Sequence, residues 1–155
     1  MKTNKAMRNL LSGLQLNRSL SPSLKAVADN GFVHHNGCYV LRDLSATTNA
    51  TRSTLGDSTG YECFVNSLHI EDYEADQPLA QAILFVMQVF QIWNAAAPNK
   101  YLTAIVSAGE FSVVAKFHVK RPDEHWLSDN IEGYDDPVLS IDSNEDISAM
   151  VSKSR

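Results

Sequence analysis

The spacing of hydrophobic and polar residues changes several times along the chain, and each change marks a predicted element. Lys5–Leu16 carries apolar side chains three and four residues apart, which predicts a short amphipathic helix. Ser21-Pro22 is a typical helix start and Asn30-Gly31 a typical stop, so a second helix is predicted over Pro22–Asp29. Two short helices therefore open the predicted fold.

Alternating and β-prone runs predict strands in four later places. FVHH and CYVL are separated by Asn36-Gly37, a dipeptide that readily takes the positive φ angles of a type I′ turn, so a β-hairpin is predicted there. Tyr61–Ile70 predicts a further strand, with alternate residues on opposite faces. A second hairpin is predicted from YLTAIVSA and FSVVAKFHVKR, which flank a turn at Gly109-Glu110, and PVLSID predicts a final strand.

The longest predicted helix runs from Gln77 to Ala96, with Pro78 near its start and Pro98 beyond its end. Its sequence LAQAILFVMQVFQIW is apolar on nearly all sides, with a thin stripe of Gln and Asn, which is typical of a helix buried on most sides. Because amides interrupt the apolar stretch and the flanks lack a basic anchor, we expect a core helix and no membrane association.

Tight turns join most of the predicted strands, and this favours an antiparallel sheet. We predict an α+β fold in which a sheet of about 5–6 strands packs on the one long buried helix, behind short N-terminal helices. The 155 residues fit a single domain, divided into N-terminal helices (1–30), sheet plus long helix (31–146) and a frayed tail (147–155). Residues 43–60 hold ten Ser, Thr or Gly residues and predict a long loop, often a functional feature.

Composition is that of an ordinary globular protein. The chain is 44% hydrophobic and 20% charged and carries a net charge of −5. Two cysteines, Cys38 and Cys63, are too few for a disulfide scaffold at this length, so both are predicted to be reduced. The N-terminal NLLSGLQLN is broken by polar residues and leads to no small-residue cleavage site, so we expect a cytoplasmic protein.

Charge is sorted along the sequence. The first sixty residues carry seven cations and three acids, whereas Arg121–Asp146 carries nine carboxylates and one cation. The acidic stretch also contains Trp126, Tyr134 and several aliphatic residues, which a solvating tail would lack, so an ordered acidic surface is predicted. Such a surface suits a basic protein partner and repels nucleic acid phosphates. The alternative is a solvated face that only keeps the protein soluble.

One cluster of histidines and cysteines has the residue types of a metal site. Adjacent residues of a strand point to opposite faces, so two neighbouring histidines on a strand do not both reach one ion without a bulge. We therefore favour a structural role and expect no metal or other cofactor. The cluster comprises His34, His35, Cys38, Cys63 and His69.

Alternation in KFHVKR places Lys116, His118 and Lys120 on one face of a strand. A histidine between two lysines suits phosphodiester cleavage, with His118 as general acid or base and the lysines stabilising the anionic transition state. The sequence places no second proton-transfer group nearby, so we favour the solvent face of a strand whose Phe117 and Val119 pack inward. A small nuclease or other enzyme using these three residues stays an alternative.

The succession of helix, helix and hairpin at the basic N-terminus resembles a winged helix-turn-helix. Its second helix lies in SPSLKAVADNG, which offers a single lysine and an aspartate for a DNA groove. A DNA-binding regulator is therefore a second alternative. No GxSxG, Gly-rich phosphate loop, HExxH or CxxC motif is present, so the sequence favours a binding protein over an enzyme.

The segment KFHVKRPDEHWLSDNIEGYDDPVLSIDSNEDI resembles the C-terminal part of small bacterial immunity proteins, which are paired with the toxic tips of contact-dependent growth inhibition and related polymorphic toxins. The resemblance covers about a quarter of the chain. It implies a cytoplasmic protein that binds one cognate toxin domain, often a nuclease, and has no catalytic residues. Acidic inhibitor surfaces suit the basic clefts of nucleases. The predicted toxin contacts are Asp123, Glu124, Asp129, Glu132, Asp135 and Asp136 for charge, with Trp126 and Tyr134 as anchors.

Overall fold

An antiparallel sheet with one long helix packed across it forms the centre of the molecule. A computed structural model describes residues 1–45, 57–97, 99–147 and 151. The predicted α+β fold is confirmed, with a five-stranded antiparallel sheet and a separate two-stranded hairpin in this part of the chain. In order, the elements are β1 (Lys2–Thr3), α1 (Lys5–Ser12), α2 (Pro22–Asp29), β2 (Phe32–His35), β3 (Cys38–Leu41), α3 (Ser58–Val65), β4 (Ser67–His69), α4 (Pro78–Ala96), β5 (Leu102–Ala108), β6 (Val113–Val119) and β7 (Val138–Asp142), with 3₁₀ turns at Arg42–Leu44, Ile70–Asp72 and Ile131–Gly133.

The larger sheet has the strand order β1-β7-β5-β6-β4, and all neighbouring pairs are antiparallel. β5 lies at the centre, where Ile105 pairs with Lys116 of β6 on one side and with Ser140 of β7 on the other. The strand predicted from PVLSID is β7. It is internal to the sheet because β1, a two-residue strand without a sequence signal of its own, pairs along its outer side.

The first predicted hairpin is confirmed by the pairing of β2 with β3. Asn36 and Gly37 at its turn have φ angles of 53° and 79°. A type I′ turn requires positive φ at both central positions, and Asn-Gly is the dipeptide that adopts this conformation most readily. The local sequence therefore determines this hairpin.

Both predicted N-terminal helices are present. α2 has the predicted bounds, and the Ser21 side chain caps it by accepting a hydrogen bond from the Leu24 N–H at 3.4 Å. α1 ends at Ser12 rather than near Leu16, because Gly13 caps the last turn through its backbone N–H.

The predicted strand Tyr61–Ile70 was wrong over most of its length. Its first half belongs to α3, and only the short β4 pairs with the sheet. The Asp57 side chain caps α3 by accepting from the Gly60 N–H at 2.6 Å. α3 packs against β3 and β6, so tertiary contacts override the β propensity of this sequence. The residues buried in those contacts have helical spacing and are Thr59, Glu62, Cys63 and Val65.

α4 confirms the predicted long helix and covers one face of the sheet. By length and composition alone it qualifies as a membrane-spanning helix, but half of its apolar stretch is buried inside the protein. The Phe85 ring meets Phe117 of β6 edge-to-face at 5.7 Å, and Trp93 packs edge-to-face on Phe32 at 5.1 Å. The apolar face of this helix and the inward face of the sheet thus form the main core.

Two predicted segments lie partly outside the described residues. Of the predicted loop 43–60, residues 46–56 are outside, and the last three residues are the first turn of α3. Of the tail 147–155, Ile147 and Val151 are buried in the main core. The other tail residues lie outside the described part of the chain.

Candidate functional site

The acidic segment, residues 121–137, links β6 to β7 and folds back over the sheet face opposite α4. Its Leu127 and Ile131 pack on a small apolar cluster formed by Cys63, Ile105 and Val138. This cluster is separate from the main core. The predicted ordered acidic surface is therefore attached to the sheet through its own hydrophobic contacts.

A buried ion pair fixes the beginning of the acidic segment. The Arg121 guanidinium donates to both carboxylate oxygens of Glu62, at 2.7 and 2.8 Å, and Glu62 is fully buried in α3. The same carboxylate accepts from the backbone N–H groups of Tyr39 at 2.7 Å and Val119 at 2.9 Å. The hydrogen bonds to Glu62 raise the pKa of Arg121, and this bidentate geometry fixes the direction in which the segment leaves the sheet.

Two of the predicted toxin-contacting carboxylates anchor the segment internally. Glu124 accepts from the Thr59 N–H at 2.9 Å at the start of α3. Burial raises its pKa, but the hydrogen bonds from Thr59 together with the nearby Arg121 charge hold it below the usual value. Glu132 accepts from the Lys5 N–H at 2.8 Å and from Arg8 at 3.0 Å, and these contacts lower its pKa. Both side chains have structural partners before any ligand binds.

The remaining predicted contact residues face solvent. Trp126 is 44% exposed, and the Lys116 ammonium lies 5.7 Å from its ring centroid. Tyr134 is partly exposed, and its hydroxyl accepts from the Ser128 N–H at 2.9 Å, which holds the ring in place. Four exposed carboxylates form no ion pair with other described residues, namely Asp123, Asp129, Asp135 and Asp136.

A cleft of about 740 Å³ lies between the acidic segment and the sheet. Its floor is polar: the Thr103 hydroxyl donates to Asp142 at 2.8 Å, and the Lys120 ammonium donates to the same carboxylate at 2.6 Å. The hydrogen bond with Asp142 raises the pKa of Lys120. Among the predicted contact residues, Glu124, Trp126 and Asp129 line this cleft, whereas Asp123, Glu132, Tyr134, Asp135 and Asp136 do not.

The cleft floor also contains His118, which is only 6% exposed. Its Nδ1–H donates to the Val119 carbonyl at 2.9 Å, and burial lowers its pKa. The alternation predicted for KFHVKR is confirmed, since Phe117 packs under α4. The expected solvent face was wrong at His118, because the acidic segment covers it, whereas Lys120 is exposed. Glu124 of the acidic segment and Asp142 of β7 lie close enough to His118 to interact with it electrostatically.

The predicted candidate metal ligands are dispersed. His34 stacks on Tyr39 at 4.1 Å, while the His69 ring bonds the Ser112 hydroxyl at 2.7 Å. Cys38 and Cys63 are free and buried, and burial raises the pKa of Cys63 to about 12. No three His, Cys, Asp or Glu side chains within the described ranges are grouped to hold a metal ion.

Sequence reasoning missed two features of this region. Glu62 and Arg121 are 59 residues apart, and their pairing has no local signal. Phe111, at the turn between β5 and β6, is 88% exposed, more than any other large hydrophobic residue in the described structure. Its one sequence signal is an aromatic residue directly after the Gly109-Glu110 turn.

Comparison with known proteins identifies a family. The model of the Uncharacterized protein PM0498 family matches residues 2–154, so the chain belongs to this family. The chain is similar to Uncharacterized protein PM0498 of Pasteurella multocida (strain Pm70), with 29% identity over 105 residues. That match covers 60% of this chain and 66% of the relative's length. No solved structure matches the chain.

Proposed function

We propose that this member of the Uncharacterized protein PM0498 family is an immunity-type binding protein that neutralises a basic toxin domain. The outer surface of the acidic segment is the proposed contact. The observation that carries the proposal is the set of four solvent-facing carboxylates without ion pairs among the described residues, beside the half-exposed Trp126. Unpaired surface carboxylates leave a negative potential that attracts a basic cleft and speeds its encounter.

The anchors of the acidic segment support this proposal. A flexible acidic tail would lose conformational entropy on binding, whereas a segment already held by the Glu62–Arg121 pair and by Leu127 and Ile131 loses less. Partly exposed aromatic residues such as Trp126 are also typical of the anchors that dominate interface energies. The segment thus combines charge for association with a fixed apolar contact.

The proposal predicts that the gene immediately upstream encodes a toxin, and it is tested with the C-terminal domain of that gene's product, here called the upstream toxin domain. Asp135→Lys with Asp136→Lys reverses the charge of the surface and is expected to slow association at low salt by about tenfold or more. Raised salt is expected to slow wild-type association and to affect the reversed variant much less, because the screened attraction is already gone. Association rates from stopped-flow fluorescence and survival of toxin-exposed cells are the measurements.

A control with the same change in charge reverses two carboxylates on the other side of the molecule. Asp29 pairs with Lys25 and accepts from Gln88 of α4 at 2.7 Å, and Asp43 accepts from Asn30 at 2.9 Å, so both lie away from the acidic segment. Asp29→Lys with Asp43→Lys is expected to keep association and protection near wild type. Equal binding by both double variants, or a wild-type protein that does not bind the upstream toxin domain, contradicts the proposal.

A second candidate function, an enzyme acting in the cleft, is favoured by the position of His118 next to Glu124 and Asp142. These carboxylates supply the second proton-transfer group that such chemistry needs. Against it, the ammonium groups of both lysines already have partners, since Lys120 is paired with Asp142 and Lys116 donates to Ser67 at 3.1 Å. RNA or DNA hydrolysis that disappears in His118→Ala would replace the binding proposal with this one.

A further inference from the structure

The turn between β5 and β6 exposes Phe111 to solvent, and hydrogen bonds hold the backbone of this turn in place. The turn is closed by the Gly109 N–H, which donates to the Ser112 carbonyl at 2.9 Å. Glu71 accepts from the Ser112 hydroxyl and from the Val113 N–H at 3.0 Å, and the Ser112 oxygen also bonds the His69 ring. Phe111 is therefore exposed on a fixed turn, so a partner would not have to order the backbone that carries it.

The end of the acidic segment lies against this turn. The Ala108 N–H donates to the Pro137 carbonyl at 2.9 Å, which aligns the segment with the hairpin. A Cβ atom on Gly109 would lie 3.3 Å from Oδ2 of Asp136, tighter than an ordinary contact, so glycine permits the close approach of this carboxylate. Phe111 is two residues from Gly109 and thus lies at the same end of the sheet as Asp136.

Five exposed residues, three acidic and two aromatic, lie within two positions of Gly109 or Asp136 along the chain and thus at this end of the sheet. We name them the hairpin-tip patch: Glu110, Phe111, Tyr134, Asp135 and Asp136. Burying such an exposed aromatic side chain in an apolar pocket of a partner contributes favourable binding free energy. The neighbouring carboxylates are complementary to a pocket whose rim carries cations. The patch therefore has the chemistry of an interface anchor with a charged border.

We infer that the hairpin-tip patch is the centre of the toxin-binding surface, with Phe111 inserted into an apolar pocket that Arg or Lys residues of the partner surround. The inference rests on the proposed function and narrows it, because it moves the contact from the whole acidic segment to one end of the sheet. It also adds Phe111, which lies outside the acidic segment, to the binding residues.

The experiment measures dissociation constants for the upstream toxin domain by isothermal titration calorimetry. Phe111→Ala is expected to weaken binding by about 30-fold or more, the loss that defines an interface hot spot. Phe64→Ala is the matched control, because Phe64 is an aromatic residue exposed by 51% on α3, and it is expected to stay within about threefold of wild type. Phe111→Tyr, which keeps the ring, is expected to retain most of the affinity. Thermal unfolding of each variant checks that folding is unchanged.

The outcomes separate the two proposals. If Phe111→Ala binds within threefold of wild type while Asp135→Lys with Asp136→Lys loses binding, the anchor inference is overturned and the proposed function stands. If Phe64→Ala weakens binding as much as Phe111→Ala, the patch is not the centre of the surface and the inference is again overturned. If the wild-type protein does not bind the toxin domain, both proposals fail.

Discussion

The two faces of the sheet are covered by elements of opposite chemistry. α4 covers one face with apolar side chains, among them the fully buried Phe85 and the nearly buried Trp93. The acidic segment covers the other face. It is held there by Leu127 and Ile131, which pack on a three-residue apolar cluster, and by a buried ion pair and several side-chain hydrogen bonds to backbone. The α4 side therefore buries most of the apolar core, while the acidic side mainly positions charged and aromatic groups on the surface.

The largest expected effect comes from truncating the α4 side. Phe85→Ala or Trp93→Ala removes a buried aromatic side chain and leaves a cavity, which is expected to lower the free energy of unfolding by about 3–5 kcal/mol. Leu127→Ala, on the acidic side, truncates a partly buried residue and is expected to lower it by about 1 kcal/mol. Urea unfolding of the three variants measures the difference. Equal losses of unfolding free energy for the α4 and Leu127 variants would show that the two sides contribute alike to stability.

The next effect concerns the buried ion pair, which is the strongest polar anchor of the acidic side. Glu62→Gln removes the negative charge and puts an amide donor where the carboxylate accepts four hydrogen bonds, leaving Arg121 uncompensated. Loss of one partner of such a buried pair is expected to cost about 3 kcal/mol or more, also measured by urea unfolding. Glu124→Gln is the control on the same segment. Its amide oxygen still accepts from the Thr59 N–H, so only the charge is lost, and the expected cost is about 1 kcal/mol or less. A Glu62→Gln loss no larger than the control would show that the pair contributes no anchoring.

Local signals explain which parts of the fold are predictable from the sequence. Asn36-Gly37, the Ser21-Pro22 cap and the apolar run of α4 each encode their element within a few residues. The strand predicted at Tyr61–Ile70 failed because its helical state depends on contacts with β3 and β6, which no local pattern encodes.

The candidate site shows the same limit. An ordered acidic surface follows from aromatic residues placed among carboxylates, but the use of each carboxylate does not. Glu124 and Glu132 have partners 65 and 127 residues away, Thr59 and Lys5 respectively. In sequence they look the same as Asp135, which forms no ion pair within the described ranges. Likewise, His118 is buried by a segment that follows it in the chain, which strand alternation alone does not reveal.

The smallest expected effect is a pH dependence of stability that arises at His118, beneath the acidic segment. Burial holds the pKa of His118 below its usual value of 6.5 in the folded protein, so the unfolded chain binds this proton more readily. The contribution of neutral His118 to stability is therefore fully present above pH 6.5 and is lost as the pH falls from 6.5 towards the folded pKa. Within that window one proton changes the free energy of unfolding by at most about 1.4 kcal/mol per pH unit.

His118→Gln removes this titration and is expected to flatten the dependence of the unfolding free energy on pH between 7.5 and 5.5. The window lies above the range in which carboxylates such as Glu124 take up protons, so their lowered pKa values do not contribute to the slope. His125→Gln is the matched control, because His125 is exposed on the same segment, and it is expected to leave the wild-type slope in place. Urea unfolding at four pH values measures each slope. A His118→Gln slope equal to that of the wild type would mean that the acidic segment does not keep water from the sheet, and that this face is open in solution rather than covered.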